Sequence, residues 1–411
     1  MNASSYLTQP PKNQQQSHTD IAIIGAGIVG LTLACALRNS GLTVTVIEAQ
    51  SQAKAARRDR AYAFSPMSAR VFQQLGLWDQ VGPYITHFQR VRMSDADYGK
   101  AVNFYPTDSP AEAVYYGAEH RVLLRALQGL AANVRCVTPY YETTLVDIQT
   151  VPTGMQLTIE RDGQRHTLHT QLLVGADGAR SKIRAYAGIQ TSGWAYGQSC
   201  ITTVLAPTKS HQNTAYEKFW PSGPFAILPI PGNRCQVVWT APHAEAKAMV
   251  ELPEQAFMTE LRQRYGDQMG DLEMLKPPMM FPVQLMQSHH YVRPGIALVG
   301  DAAHCCHPVG GQGLNMGIRD AAALAKTLQT AHTRKESIAA IRVLKRYERW
   351  RRTENWLILA MTDLLNRVFS NRILPLLWLR RGGFWMIEHT VPLKRVILRI
   401  MTGFFGRQPI F

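Results

Sequence analysis

Short apolar runs alternate with helical periodicity over the first third of the chain. Asp20 to Ile24 reads as a buried strand, Leu31 to Arg38 as a helix stopped at Gly41, and Leu42 to Ile47 as a second strand. Met67 to Leu75 has amphipathic spacing and ends at Gly76, and a further helix begins at Glu119 to Leu127. Leu172 to Val174 and Gly295 to Val299 are short apolar runs of strand length. After the second of these, Ile318, Ala322, Leu324, Ala325 and Leu328 place a helix over Asn315 to Gln329. Between 195 and 285 the pattern changes to strands parted by turns, at Ile201 to Leu205, Ala226 to Pro229 and Gln236 to Thr240, followed by a helix at Leu252 to Tyr265. Past residue 340 come a charged helix, Tyr347 to Asn355, and then apolar runs broken by Arg and Lys: Trp356 to Phe369, Ile373 to Leu379 and Val396 to Phe405.

Three of the strand ends carry chemistry. The first is followed at once by Gly25-Ala26-Gly27-Ile28-Val29-Gly30, and Glu48 closes the next strand 18 residues after the last glycine. Strand, G-x-G-x-x-G, helix, strand and acid make a dinucleotide-binding unit: Gly25, Gly27 and Gly30 let a pyrophosphate approach the helix start, and Glu48 suits ribose hydroxyls. The unit does not by itself distinguish FAD from NAD. Leu172 to Val174 runs into Gly175-Ala176-Asp177-Gly178, where Asp177 is an acceptor at a strand end, or else part of an Asp-Gly turn. Gly295 to Val299 runs into Gly300-Asp301, then a loop with Pro308, Gly310, Gly311 and Gly313 and the helix start. A strand-end carboxylate suits a polyol, and a glycine-rich helix N-terminus suits an anion.

These stretches resemble a known family. Gly300-Asp301-Ala302-Ala303-His304 with Pro308 resembles the ribitol-binding motif of single-component flavin aromatic hydroxylases. His307 to Gly317 (HPVGGQGLNMG) with Asp320 is similar to the signature of the ubiquinone-biosynthesis hydroxylases within them. Gly175 to Arg184 (GADGARSKIR) resembles the family's second motif, and Asp363, Phe369-Ser370-Asn371 and Pro392-Leu393-Lys394-Arg395 resemble its C-terminal region. The resemblance implies one extended FAD. Gly25, Gly27, Gly30, Glu48, Asp177, Gly178 and Arg184 would serve its dinucleotide half, Gly300 and Asp301 its ribitol, and Gly311, Gly313, Leu314 and Asn315 its ring. Arg60 and Arg121 fall where the family has charged cofactor contacts, and Arg184 is expected to balance Asp177 or a phosphate. The resemblance also implies reduction by NAD(P)H and oxygen transfer from a flavin hydroperoxide to an aromatic ring. No side chain is singled out as catalytic beyond the loop of Pro308, Gly311, Gln312 and Gly313 around the ring. A second nucleotide-binding unit is not evident, so NAD(P)H is expected to dock transiently.

The fold class that follows is α/β: a Rossmann-like FAD-binding domain with an inserted substrate domain on a β-sheet, plus C-terminal helices. Its expected division is a disordered tail over 1–19, an FAD-binding domain over 20–90, 115–190 and 286–335, a substrate domain over 91–114 and 191–285, and a helical region over 336–411. Trp220, Phe225 and Trp239 are candidates either for a substrate pocket or for core packing.

Composition narrows the partners. The 411 residues carry a net charge of +15, and residues 342–411 hold 14 Lys/Arg against 4 Asp/Glu. Basic residues among large apolar ones, without a nucleic-acid module, point to an anionic membrane surface and not to nucleic acid. The six cysteines show no CxxC, which fits a reducing compartment and argues against a disulfide reductase. The adjacent His304-Cys305-Cys306-His307 cannot converge on one tetrahedral ion, so no metal is expected. No run of 18 apolar residues spans a bilayer, which leaves a cytoplasmic protein attached peripherally to a membrane. The family resemblance makes the substrate a prenylated phenol or quinol, lipophilic because each buried CH₂ contributes about 0.8 kcal/mol. Other quinone-biosynthesis enzymes are possible partners. Two other functions share the scaffold: reduction of isoprenoid double bonds, and a non-catalytic flavoprotein of a quinone-synthesis complex.

Overall fold

The protein is described by a computed structural model, which covers residues 16–96 and 98–411. The first strand, β1 (Gln16–Ile24), begins earlier than its apolar run, because Gln16 to Thr19 pair in register with Thr167 to Thr170. The last four residues of the expected tail are therefore strand, and residues 1–15 lie outside the described residues. Backbone pairing needs no apolar side chain, and Thr19 is buried with its hydroxyl donating to the Thr43 carbonyl at 3.1 Å.

From β1 the chain enters α1 (Ile28–Ala36), apolar on all sides and almost wholly buried, and returns as β2 (Val44–Ile47). Later come β3 (Gln164–Gly175) and β4 (Ile296–Leu298). The parallel sheet runs in the order Val137–Tyr140, β2, β1, β3, β4. Chain order and spatial order differ, so the ends of β1, β3 and β4 lie side by side, and all three strand-end motifs meet at one edge. An antiparallel pair, Thr143–Val151 and Gly154–Arg161, extends β3.

A second, nine-stranded sheet mixes Arg90–Asp95 and Ala101–Phe104 with strands from 191 to 288, and His304–Cys305 adds an edge to it. Its longest strand is Thr191–Pro207, well beyond the apolar run at Ile201 to Leu205, because Thr191 to Ala195 pair with Gln284 to Ser288.

Helix α2 (Gln312–Thr333) starts three residues before its apolar periodicity and lies against α1. Helix α3 (Ile341–Phe369) is continuous where a charged and an apolar segment were expected separately. No Gly or Pro interrupts it, and Leu344, Tyr347, Arg351, Asn355, Ile358, Thr362, Asn366 and Phe369 are buried at helical spacing. Helices α4 (Leu374–His389) and α5 (Val391–Thr402) then fold back. A buried ion pair, Arg380 Nε to Asp95 Oδ2 at 2.8 Å, ties α4 to the second sheet.

Candidate active site

The glycines of the first motif have separate jobs. A Cβ on Gly30 would lie 2.0 Å from the Gly25 carbonyl oxygen, and Gly25 itself sits at φ +109 with the Ala176 oxygen 2.4 Å from the same position. Both let β1, α1 and the end of β3 close together. Gly27 meets nothing within 4 Å and lines a cavity, so its missing side chain leaves room for a ligand at the start of α1. Glu48 accepts the Ala26 N–H through Oε2 and the Gln50 N–H through Oε1, each at 2.9 Å, which places the carboxylate under the glycine turn.

At the end of β3, Asp177 Oδ2 accepts the Lys182 N–H at 2.7 Å and the Ile183 N–H at 3.3 Å. Its Oδ1 is buried without a protein partner, while Gly178 lines the cavity. The expected balance between Arg184 and Asp177 is absent. The guanidinium donates to the carbonyls of Ala302 at 2.9 Å and Ala179 at 2.7 Å, so it staples two motif loops together.

After β4, Gly300 packs against Val29 at φ +60 and Asp301 turns into the cavity. Its side chain is accessible from the cavity. Burial raises its pKa above the ordinary value, opposed by the charges of His304, Arg60 and Arg58. Behind it, Asp320 Oδ2 accepts from Gly300 N–H at 3.2 Å and pairs with His304 Nε2 at 2.5 Å. Burial opposes ionisation of Asp320, yet His304 and Arg351 hold its pKa well below the carboxylate range.

The loop then brings Pro308 to Leu314 along the cavity wall. Gly311 caps α2 at φ +61, where a Cβ would stand 2.8 Å from that of Ala63. Gly313 has only Cys306 Sγ near, at 3.7 Å. Gln312 Nε2 donates to Tyr115 Oη at 2.9 Å and to the Met401 carbonyl at 3.1 Å, joining the loop to α5. Asn315 does not reach the cavity. It donates to the Ala63 and Gly311 carbonyls and accepts from Ser65 N–H and Ser68 Oγ–H, so all its hydrogen bonds go to protein.

Of the two arginines, Arg60 lines the cavity with its guanidinium 4.4 Å from the Phe281 ring centroid. Arg121 does not. Its side chain is 56% exposed and bonded to Glu119 at 3.1 Å. Cys305 and Cys306 also line the cavity, and burial pushes the Cys305 thiol up to about 12. His304 is spent on Asp320, and His307 Nδ1 accepts the Val309 N–H. Among the described residues no group of three or more His, Cys, Asp or Glu is placed to hold a metal.

The cavity, of about 470 Å³, continues over the second sheet. Met93, Glu217, Ala226, Val238 and Thr202 form one cross-strand row of its floor, and Phe88, Val91, Leu228, Leu365 and Met401 add apolar wall. The aromatics singled out in this region face away. Phe225 and Trp239 are one residue out of phase with Ala226 and Val238, and they pack with Phe257 in a core on the opposite face. Trp220 packs beside that core too. Glu217 was not among the residues read from the sequence, although a lone acid in an apolar-patterned strand was its signal.

The polar inventory fits FAD. There is open space at Gly27, an unpaired Asp177 oxygen, a carboxylate at Asp301 without a donor among the described residues, and a glycine-capped helix start. The family model for the FAD binding domain matches residues 18–362. An uncharacterized protein of Synechocystis is 47% identical over 95% of this chain and 94% of its own length. Ubiquinone hydroxylase UbiL of Rhodospirillum rubrum is 36% identical over 96% of this chain and 92% of its own. In fold the chain is similar to p-nitrophenol 4-monooxygenase PnpA of Pseudomonas putida, with a TM-score of 0.80 and 18% identity over 94% of this chain and 99% of that one. A match of this length to the FAD-binding model, together with so close a hydroxylase relative, assigns the chain to the FAD-dependent monooxygenases of the ubiquinone-biosynthesis hydroxylase family.

Proposed function

We propose that this enzyme hydroxylates the ring of a polyprenylated phenol or quinol precursor of ubiquinone at a membrane surface. One observation carries the reading: a single cavity joins Gly27, Asp301 and the Pro308 to Leu314 loop to a largely apolar floor on the second sheet. Bound FAD supplies the redox chemistry, taking a hydride from NAD(P)H and activating O₂ so that one oxygen atom goes to the ring and the other leaves as water. Gly27 and Asp177 would hold its pyrophosphate region, with Gly25 and Gly30 closing the turn that admits it, Glu48 its adenosine ribose and Asp301 its ribitol. The N–H groups opening α2 favour negative charge beside them by about 0.3–1 kcal/mol when exposed and up to ~2 kcal/mol when partly buried. Arg60 adds a cation on the same cavity. Gly300, Arg184 and Asn315 act by fixing the loops, and Arg121 has no part unless it leaves Glu119. Pro308 and the apolar floor keep water from the reacting centre.

The C-terminal helices supply the membrane contact in this reading. Leu374, Trp378, Leu379 and Trp385 on α4 are exposed by 69%, 71%, 65% and 54%, and Val391 and Val396 on α5 by 49% and 47%. Exposed Arg372, Arg395 and Arg399 lie among them, which suits an anionic interface. Among the described residues no helix is long and apolar enough to cross a membrane. Leu365 of α3 and Met401 of α5 line the cavity, so a prenyl tail has a short route from it to the apolar helices. The test is genetic and chemical. A strain lacking the gene should accumulate a prenylated ring one oxygen short, identified by mass spectrometry, and lose it on complementation. An unchanged lipid profile would reject the substrate class.

A further inference from the structure

Two carboxylates line the cavity among the described residues, and the cofactor reading uses only Asp301. The other, Glu217, lies on the Thr214–Trp220 strand, directly across from Met93 on one neighbour and Ala226 on the other. Cross-strand partners point to the same face, so Glu217 is the one ionisable group in the row Met93, Glu217, Ala226, Val238, Thr202. Gly310, in the turn that leads into α2, lines the same cavity. The carboxyl thus stands where the substrate floor meets the loop assigned to the flavin ring.

We propose that Glu217 is a catalytic residue that receives the hydroxyl proton of the aromatic substrate. The proposal rests on the substrate reading above. The phenolic proton passes to a Glu217 carboxylate oxygen and the O–H electron pair stays on the ring oxygen. The resulting aryloxide is more electron-rich at its ortho and para carbons. Once the oxygen atom is delivered, the attacked carbon loses its hydrogen as a proton to the second oxygen atom, which leaves as water, and Glu217 returns its own proton to the ring oxygen and is regenerated.

The environment equips it for this. Burial raises the Glu217 pKa to about 8, with the Gly310 N–H opposing. An ordinary Glu near 4.3 is a poor base toward a phenol near 10, and this rise closes most of the gap. The groups packed around it are otherwise unable to set its charge. Met93 comes from one strand, Ala226 from another, and Leu365 and Met401 from the helices. Tyr216 and Lys218 adjoin it on its own strand, Arg92 and Ser94 flank Met93, and Cys200 is a titratable neighbour from the long strand. Arg58, Arg60, Tyr62, Tyr115, His120, Asp301, Cys305 and Cys306 also line the cavity, and none of them contributes to its shift.

The experiment compares wild-type, Glu217→Gln and Glu217→Asp holoenzymes, with 2-geranylphenol and its methyl ether as probes. Wild-type kcat should rise with pH through a single ionisation near 8. Glu217→Gln should lose that limb and roughly 10²–10⁴ of the rate, with FAD affinity and Tm unchanged, and Glu217→Asp should keep the limb. Binding gives a readout without turnover. Above pH 8 the wild type should prefer the phenol over the ether by roughly 10- to 150-fold, as expected of a hydrogen bond to a charged acceptor, and Glu217→Gln should lose the preference. A Gln variant that keeps rate and preference overturns the proposal alone, as does one that loses both probes equally, which marks a packing role. Wild-type protein that neither binds nor hydroxylates a prenylphenol overturns the substrate reading and this proposal with it.

Discussion

Arg351 Nε donates to Asp320 Oδ1 at 2.8 Å, and both side chains are fully buried. The pair couples α3 to α2 beneath the Gly300-Asp301 turn, because the other oxygen of Asp320 holds Gly300 N–H and His304. Asn355 Nδ2 supports the same carboxylate at 3.0 Å. A helix from the C-terminal region therefore braces the Gly300-Asp301 turn from behind.

Removing one partner of such a pair leaves a buried charge without compensation. Arg351→Ala should lower stability by about 3–5 kcal/mol and weaken FAD retention, although Arg351 does not line the cavity. Urea unfolding and FAD titration check both effects. Unchanged unfolding would mean that water replaces the guanidinium without loss.

Two glycines of one motif should fail differently. Gly30→Ala must move backbone, since its Cβ would stand 2.0 Å from the Gly25 oxygen, and should destabilise the protein by about 1–3 kcal/mol or more. A Cβ at Gly27 meets no protein atom within 4 Å, so Gly27→Val should fold normally yet lose FAD. Thermal melts of the apoproteins and FAD binding by the same two variants separate these outcomes. A Gly27→Val protein with normal FAD affinity would move the pyrophosphate elsewhere.

Burial lowers the His120 pKa to about 4, with its backbone bond to Ala55 opposing. Unfolded His titrates near 6.5, so between about 6.5 and 4 the unfolded chain binds the extra proton. Stability should therefore rise with pH across that window, and be lost as pH is lowered through it, by up to about 1.36 kcal/mol per pH unit from this residue. His307, lowered by burial to about 3, acts in the same direction. His120→Gln should flatten the dependence by one proton, as read from urea midpoints at several pH values. An unaltered slope would show that His120 is already charged in the folded protein.

How much of this was readable from the chain differs by link. The G-x-G-x-x-G turn, Asp177 and Asp301 were legible because strand-end chemistry is local, and β1, β3 and β4 then bring them together. Arg351 and Asn355 were not, since a buried Arg on a charged helix looks like surface until Asp320 is opposite it. Phe225 and Trp239 stood open between pocket and core on size alone, and strand phase decides it: alternation assigns Ala226 and Val238 to the cavity and leaves the two aromatics to the core. Gln16 to Thr19 were hidden for the opposite reason, being polar residues in a strand specified by its partner. Arg121 sat in a matching position, but Glu119 is its neighbour.

Membrane attachment has its own test, and the geometry chooses the residues. Arg380 and Lys394 are buried and paired with Asp95 and Glu388, so changing them would disturb the fold. Arg372→Glu, Arg395→Glu and Arg399→Glu together should leave Tm within about 2 °C, since surface changes away from such pairs stay within about ±0.5 kcal/mol each. Binding to phosphatidylserine-containing liposomes should weaken by roughly 1 kcal/mol per charge removed. Flotation indifferent to these changes and to salt would assign the exposed apolar residues to another contact.

The central claim is FAD-dependent transfer of oxygen to a prenylated aromatic ring, and isotope-labelled O₂ tests it most directly. Purified holoenzyme with NAD(P)H, a prenylphenol such as 2-geranylphenol and heavy-oxygen O₂ should yield a product with one labelled hydroxyl per turnover, and none under argon. Unlabelled product, or consumption of NAD(P)H with saturation of a prenyl double bond in the absence of O₂, would contradict the account.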